Sequence, residues 1–348
     1  MQDKIYKDEM ESTCLPLVFP PALKSYLSLS IISDIAMANS GNKNWIMQNF
    51  IQLCKYNDSE KIEFFPCQTF IYQNMSTITS EELNETILDI NKIDFVNDII
   101  QWINRGKYVV VYLDESKISG MRLYKKTPFL HPQFIFGYNN KLKIFKVMNF
   151  SKDTDNIDII NVPYNELETN FYSKDTYSLF FKSNVSQDLI NKGYRIILLS
   201  YTPNKHTYID TGLNIEVIKE QIKQYVYALD SSKYTQSFTG IVKAVWGVDV
   251  YNYIIDIFKR QKTNIDLRIP VLLYEHKFYM RYRLELFDKN IANEYTEIVK
   301  LAETLKLSCI KYTYSQKESM LYGIINILKQ MMDTEKKVLL KLFTGEND

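Results

Sequence analysis

The stretch His131-Pro-Gln-Phe-Ile-Phe-Gly-Tyr-Asn-Asn-Lys-Leu-Lys-Ile-Phe-Lys-Val-Met-Asn149 constrains the fold more than any other. Two apolar runs flank an Asn139-Asn140 pair, the pattern of a β-hairpin closed by a tight turn. Histidine stands at one mouth of the ribbon and a side-chain amide at the other. A two-residue turn places His131 opposite Met148; a three-residue turn or a bulge brings Asn149 opposite instead. Tyr108-Val-Val-Val-Tyr-Leu113, just upstream, is a continuous apolar run of the kind that forms a buried strand. Together these segments predict an antiparallel sheet in the first half of the chain.

The surrounding elements follow from periodicity. Pro21 suits the first turn of a helix running from Ala22 to about Asn39, whose apolar positions nearly encircle it, as in a buried central helix. Helices are also expected from Asn44 to Leu53, from about Thr79, and over 95–104. Strands are expected over 63–72 and 177–182, and a strand leading into a helix near Val162-Pro-Tyr-Asn-Glu-Leu. Beyond residue 185 the pattern becomes helical, with segments near 217–229, 247–260, 271–287, 291–307 and 319–343. The expected class is α+β, with a sheet-bearing domain over 1–185 and a helical domain or lid over 186–348.

Bulk properties exclude several classes. The chain has 348 residues, 42 Lys+Arg against 41 Asp+Glu, and a net charge of +1. That balance leaves no electrostatic footprint for nucleic acid. No run of about 18 apolar residues suggests a membrane span, and the first residues do not resemble a signal peptide. The four cysteines, at 14, 54, 67 and 309, form no Cys-x-x-Cys pair, which argues for free thiols in a cytoplasmic setting and against a zinc site. No metal or other cofactor is expected.

Three histidines exist in the chain. His131 with Asn149 suits a Cys-His-Asn arrangement: the amide fixes the imidazole tautomer, and the other ring nitrogen takes a thiol proton. Asp153 and Asp155 are alternative partners for the ring. Cys14, a few residues before the central helix, is the candidate nucleophile; Cys54, Cys67 and Cys309 read as core residues. Asp114, at the end of the buried strand, either orients a substrate amine or caps a turn. Glu275 and His276 are adjacent on a predicted helix, so they face different ways and form no metal pair; for the charged run Glu275 to Lys277 with Arg281 and Arg283, internal ion pairing with Asp266 and Arg268 is the expected role. His206 reads as loop.

The ordered series Trp45-Ile-Met-Gln-Asn-Phe-Ile-Gln-Leu53, Gly106 to Asp114, Tyr124 followed by His131-Pro, Phe136-Gly-Tyr138, Asp266-Leu-Arg268 and Tyr274-Glu-His-Lys277 resembles a family from bacterial natural-product gene clusters. These are papain-like cysteine-peptidase-fold proteins related to the butirosin-type acyltransferase, and within them the chain is most similar to amide synthetases of closthioamide-type assembly. The resemblance covers residues 20–340. It implies a papain-like first half, with a central helix packed on an antiparallel sheet. It also implies ATP-independent acyl transfer in nonribosomal peptide biosynthesis. A peptidyl thioester on the phosphopantetheine of a carrier protein would pass to a cysteine and then to an amine such as 1,3-diaminopropane. Cys14, His131 and Asn149 would be catalytic, and Asp114, Ser25 and Tyr124 would contact substrate. The sequence departs from the family where the nucleophile should open the central helix: Pro21-Ala-Leu-Lys-Ser25 has no cysteine there. Either Cys14 folds back to that position or the chain is not a cysteine enzyme. Two alternatives therefore stand beside amide synthesis: a non-catalytic relative that binds a carrier protein or intermediate, and a cysteine peptidase or amidase.

Overall fold

The structure, a computed structural model, describes residues 11–40, 43–57, 60–65, 78–83, 93–183, 195–202, 213–234, 243–263 and 265–343, with the backbone alone at Trp45 and Glu82. Cys67 and His206 lie outside the described residues, as does most of the strand expected over 63–72. The class is α+β: antiparallel sheets with helices precede a helical region. The chain forms two compact units, one of residues 1–22, 34–41 and 70–205, the other of residues 23–33, 42–69 and 206–348. A boundary at 185 was expected; residues 186–205 group with the first unit, and two earlier segments group with the second.

The first unit is built on one antiparallel sheet. Its strands are β1 (Ser12–Cys14), β4 (Ile78–Leu83), β5 (Lys107–Asp114), β6 (Leu130–Asn139), β7 (Ile144–Phe150), β8 (Ile157–Pro163) and β9 (Ile196–Tyr201), in the order β4-β9-β5-β6-β7-β8 with β1 also on β6. The Val-rich run of β5 is central, and Val109, Val110, Val111 and Leu113 have no solvent exposure. Removing a side chain of that size from water stabilises the fold by roughly 1.5–3 kcal/mol. Val109, Val111 and Leu113 pack with Phe95, Ile99 and Ile103 of α3 (Phe95–Asn104) and with Leu167 and Phe171 of α4 (Tyr164–Phe171). Asp94 starts α3 by accepting from the Asn97 N–H, and the stripe Phe95, Ile99, Ile100, Ile103 is its buried face.

Three local expectations fail in this unit. Residues from Thr79 form β4, not a helix, because Ile78–Leu83 pairs residue for residue with Tyr201–Ile196. Residues 177–182 belong to helix α5 (Lys174–Lys182), where Thr176 and Phe180 are the buried positions. The hairpin closes later than the Asn-Asn pair suggests: Asn139 pairs with Ile144, and residues 140–143 form the connection. The Asn139 Oδ1 accepts from the Leu142 N–H at 2.8 Å, and Lys143 takes a positive φ of 53° to complete the loop.

The second unit holds a three-stranded antiparallel sheet, β10-β2-β3, from Ala244–Trp246, Gln52–Tyr56 and Glu63–Phe65. Its helices are α6 (Ile215–Val226), α7 (Val250–Arg260), α8 (Arg268–Leu284), α9 (Lys289–Ser315) and α10 (Glu318–Leu340), close to the spacing read from periodicity. The helix expected over 44–53 stops early. Only Asn44–Gln48 (α2) is helical; Phe50 adopts φ 58°, and Gln52–Tyr56 continues as a strand. Cys54 is therefore a buried strand residue. Helix α1 (Leu27–Ser40) begins five residues later than expected, so Pro21 lies outside its first turn. Its positions from Leu29 to Ala36 are all buried, as the encircling apolar pattern predicts.

Candidate functional site

The candidate site lies at the head of β6. His131 stands opposite Leu113 of β5, and its side chain is 17% exposed. Glu115 lies two residues beyond Leu113. Its fully buried carboxylate brings Oε2 to 3.5 Å from Nδ1 of His131. Burial pushes the Glu115 carboxyl above the usual carboxylate range and outweighs the nearby Arg122 guanidinium, while Asp114 adds repulsion. The imidazole lies 5.5 Å from the Phe129 ring and 6.1 Å from that of Phe150. The guanidinium carbon of Arg122 sits 4.5 Å from the Phe150 centroid. A neighbouring carboxyl and two flanking rings restrain the His131 side chain.

The partner expected for His131 was Asn149, or Asp153 or Asp155 in its place. None of the three occupies that role. Phe134 pairs with Met148, and the same register carries Asn149 to Gln133. The fully buried Asn149 amide donates to the Gln133 Oε1 at 2.7 Å and to the Pro132 carbonyl at 3.3 Å, while Gln133 donates to the His131 carbonyl. Asn149 therefore touches the backbone beside His131 through Gln133. The four-residue connection and a bulge between Ile135 and Gly137 move the register past both positions expected for a tight turn. Asp153 and Asp155 belong to the turn after β7; Asp155 lies 3.9 Å from the Arg122 Nε.

The expected nucleophile is also displaced. Cys14 is exposed and pairs with Gly137, six residues along β6 from His131. At about 3.3 Å per residue that separation is roughly 20 Å. The flank of β6 beside His131 is occupied by Leu113 of β5, so β1 has no edge to pair with there. The arrangement Cys14-His131-Asn149 is therefore not assembled. Cys54 and Cys309 are fully buried, and burial pushes the Cys309 thiol up to about 12.

Of the other expected positions, Asp114 caps a turn. Its Oδ1 accepts from the Ser116 N–H and hydroxyl at 3.0 and 2.8 Å and from the Phe129 N–H at 3.1 Å. This ties the end of β5 to the start of β6 through one carboxylate oxygen. Tyr124 lies half-buried in the turn after Gly120, with the ammonium groups of Lys125 and Lys152 at 5.1 and 5.7 Å from its ring. Ser25 is buried ahead of α1, where its N–H donates to the Glu275 Oε2 at 3.3 Å and the adjoining Lys24 N–H donates to Oε1. The carboxylate thus occupies the backbone donors just ahead of α1. Burial pushes Glu275 up to about 7, against the Ser25 and Lys24 hydrogen bonds.

A second polar cluster lies in the core of the second unit. The Glu335 carboxylate accepts from the hydroxyls of Tyr225, Tyr251 and Tyr295 and lies 2.8 Å from the Lys277 Nζ. Lys277 also donates to the Tyr225 hydroxyl at 2.8 Å and to Nδ1 of His276 at 2.9 Å, which leaves the His276 Nε2 protonated and donating to the Ile51 carbonyl. Burial pushes both Lys277 and His276 down, His276 well below its ordinary value. Every helix from α6 to α10 contributes a group, and Lys277 and Glu335 have no exposure. This network holds helices together. The expected pairing of these charges with Asp266 and Arg268 is not formed among the described residues: Lys277 pairs with Glu335 and Arg281 with Glu285, while Asp266 and Arg268 pair with each other, Oδ2 2.6 Å from Nη2.

Sequence reasoning missed Glu115. Its place is set beyond the alternation of β5: Glu115 opens the short 3-10 turn Glu115–Lys117, which Asp114 caps at the strand's end. Among the described residues no group of three or more His, Cys, Asp or Glu could hold a metal ion, and no helix is long and apolar enough to cross a membrane. The chain matches no protein-family model, and no curated protein matches it at a significant level.

Proposed function

We propose that the chain is a non-catalytic relative of the papain-like natural-product proteins, one that binds a carrier-protein-borne intermediate without itself transferring the acyl group. The observation that carries this reading is the separation of thiol from imidazole: Cys14 pairs with Gly137, six residues along the strand from His131. Thiolate chemistry needs the sulfur within hydrogen-bond reach of its base, and loose apo geometry does not span a distance of ~20 Å. Occupation of the Lys24 and Ser25 N–H groups by Glu275 supports the same reading. The papain-like assignment rests on a buried helix preceding an antiparallel sheet whose long strand carries His131 at its head.

A second reading is the ATP-independent amide synthetase. It is favoured by the Glu115–His131 pair, an acid and a base side by side with the ring partly exposed. In that chemistry a thiolate attacks the carrier thioester, expels the carrier thiol, and is itself displaced by an amine that loses a proton to the imidazole. The same acyl-enzyme intercepted by water would make the chain an amidase.

One experiment separates these readings. The protein is incubated with a peptidyl carrier protein bearing a thioester substrate, with and without 1,3-diaminopropane. Intact masses are measured and the amide and free acid are counted. Binding without adduct or turnover is the expected result. An acyl adduct on any cysteine, Cys67 included, overturns the binding-only reading, and the ratio of amide to free acid then tells synthetase from amidase.

A further inference from the structure

Helix α10 carries an outward stripe with opposite charges at its two ends. A groove of about 350 Å³ runs between this stripe and the end of α7, lined by Lys259, Leu321, Tyr322, Ile325, Asn326 and Lys329. Leu321 and Ile325 are buried and form its apolar floor, while Tyr322 is 60% exposed. Glu318, Tyr322, Ile325, Asn326 and Lys329 recur at three- and four-residue spacing, so they share one side of the helix.

Glu318 opens the stripe, and Lys329 closes it about three turns, or ~16 Å, further on. The Lys262 ammonium lies 3.6 Å from the Glu318 Oε1, and the Tyr322 hydroxyl donates to the same oxygen at 3.5 Å. Among the described residues no hydrogen bond or ion pair uses Oε2, and no carboxylate lies within 4 Å of the Lys329 ammonium. Gly323 lies midway, at an exposed position of the helix interior. Its backbone is helical, and a Cβ placed there meets nothing within 4 Å. Neither a turn nor crowding within the chain therefore calls for glycine, and glycine inside a helix costs stability relative to alanine. Close approach of a second backbone is a reason that remains.

A helix docked on this face has to offer a cation opposite Glu318, an anion opposite Lys329 and a side chain for the apolar floor. A uniformly acidic or basic peptide answers only one of the two charges. Helix α10 itself, run antiparallel, answers both. Setting Glu318 against Lys329 of a second copy fixes the register: the two-fold axis passes at the level of Gly323 and Ile324, and Tyr322 of each copy comes opposite Ile325 of the other. The two-fold symmetry makes each of these contacts twice.

We propose that the outward face of α10 is the interface of a homodimer, with antiparallel α10–α10 packing and Tyr322 of each copy seated in the groove of the other. The stripe is short and polar at its rim, so the contact belongs at the weak end of specific interfaces, and monomer and dimer exchange. The proposal is independent of what the site at His131 does.

Sedimentation velocity of the full chain from ~1 to ~200 µM is expected to show a reversible monomer–dimer equilibrium. Glu318→Lys sets lysine against Lys329 of the second copy at both ends, and Lys329→Glu sets carboxylate against Glu318. Each reversal is expected to weaken dimerisation by about tenfold or more, since facing like charges oppose association. Mixing the two variants restores both opposite-charge pairs in a heterodimer, so the mixture is expected to associate within about threefold of the unaltered chain. A chain that stays monomeric throughout, a dimer indifferent to both reversals, or a mixture no tighter than its components overturns the proposal. The mixture also tells a lost interface from a damaged fold, because the same two variants have to associate again in it.

Discussion

Glu115 brings its buried carboxylate to 3.5 Å from Nδ1 of His131, two residues beyond the β5 position that pairs with the histidine. The contact makes a specific claim about the ring. Glu115→Gln keeps the shape and removes the charge, so the His131 side-chain ¹⁵N signals should shift while the backbone spectrum elsewhere stays in place. Unaltered imidazole signals would show that the carboxylate does not govern the ring.

Gly137 explains how β1 is held. A Cβ built there would lie 2.8 Å from the Thr13 carbonyl oxygen and 2.9 Å from the Cys14 sulfur. Gly137→Ala is expected to destabilise the protein by roughly 1–3 kcal/mol, the range for overpacking. The nearer obstacle is backbone, so Cys14→Ala in the same chain should not rescue it. Full recovery in the double variant, measured by urea denaturation, would place the conflict at the sulfur and contradict this account.

The failures and successes of sequence reasoning have local causes. The β5 run and the long helices were legible because their patterns exceed any competing period: Val109 to Val111 have no polar interruption, and α8 to α10 each run 17 residues or more. The segments 52–56, 78–83 and 174–182 were not legible, because five to nine residues of mixed polarity carry too little periodicity to outweigh tertiary pairing. The site failed for a more particular reason. Hairpin register depends on the connection, and two unforeseen features, a four-residue connection and a bulge, carried Asn149 past His131 to Gln133. Cys14 was placed by chain proximity to the central helix, whereas strand pairing decides its position. Tyr124 and Ser25 were legible as positions but not in their surroundings, since the lysines on Tyr124 and the Glu275 carboxylate on Ser25 come from distant segments or from turn geometry.

Glu275 sets a pH dependence. Its carboxyl is pushed up to about 7 in the fold from 4.5 in the unfolded chain. The folded state therefore binds the proton more readily between those values. Stability from this group is full below about pH 4.5 and is lost as pH rises toward 7. The difference corresponds to about 3 kcal/mol as an order of magnitude, since each tenfold change in proton affinity is worth about 1.36 kcal/mol. Glu275→Gln cannot titrate, so the slope of unfolding free energy against pH across this window should flatten. Denaturant midpoints from pH 4.5 to 8 measure it, and an unchanged slope in the variant would assign the dependence to other groups.

The Lys277–Glu335 pair provides a test of the buried network. Both side chains are fully buried, and the carboxylate also serves three tyrosine hydroxyls. Lys277→Met removes the cation and leaves a buried carboxylate, a loss that costs roughly 3–5 kcal/mol when one partner of a buried pair is deleted. Glu335→Gln is milder, about 1–3 kcal/mol, because the amide oxygen still accepts from tyrosine but the Lys277 charge loses its counterpart. Combining the two removes both charges and keeps one amide oxygen as an acceptor for the tyrosines, so the double variant should be more stable than the sum of the single losses predicts, by about 0.5–3 kcal/mol. Additive losses in a double-mutant cycle would mean that the lysine and the carboxylate act independently, with the tyrosine hydroxyls alone compensating the buried charge.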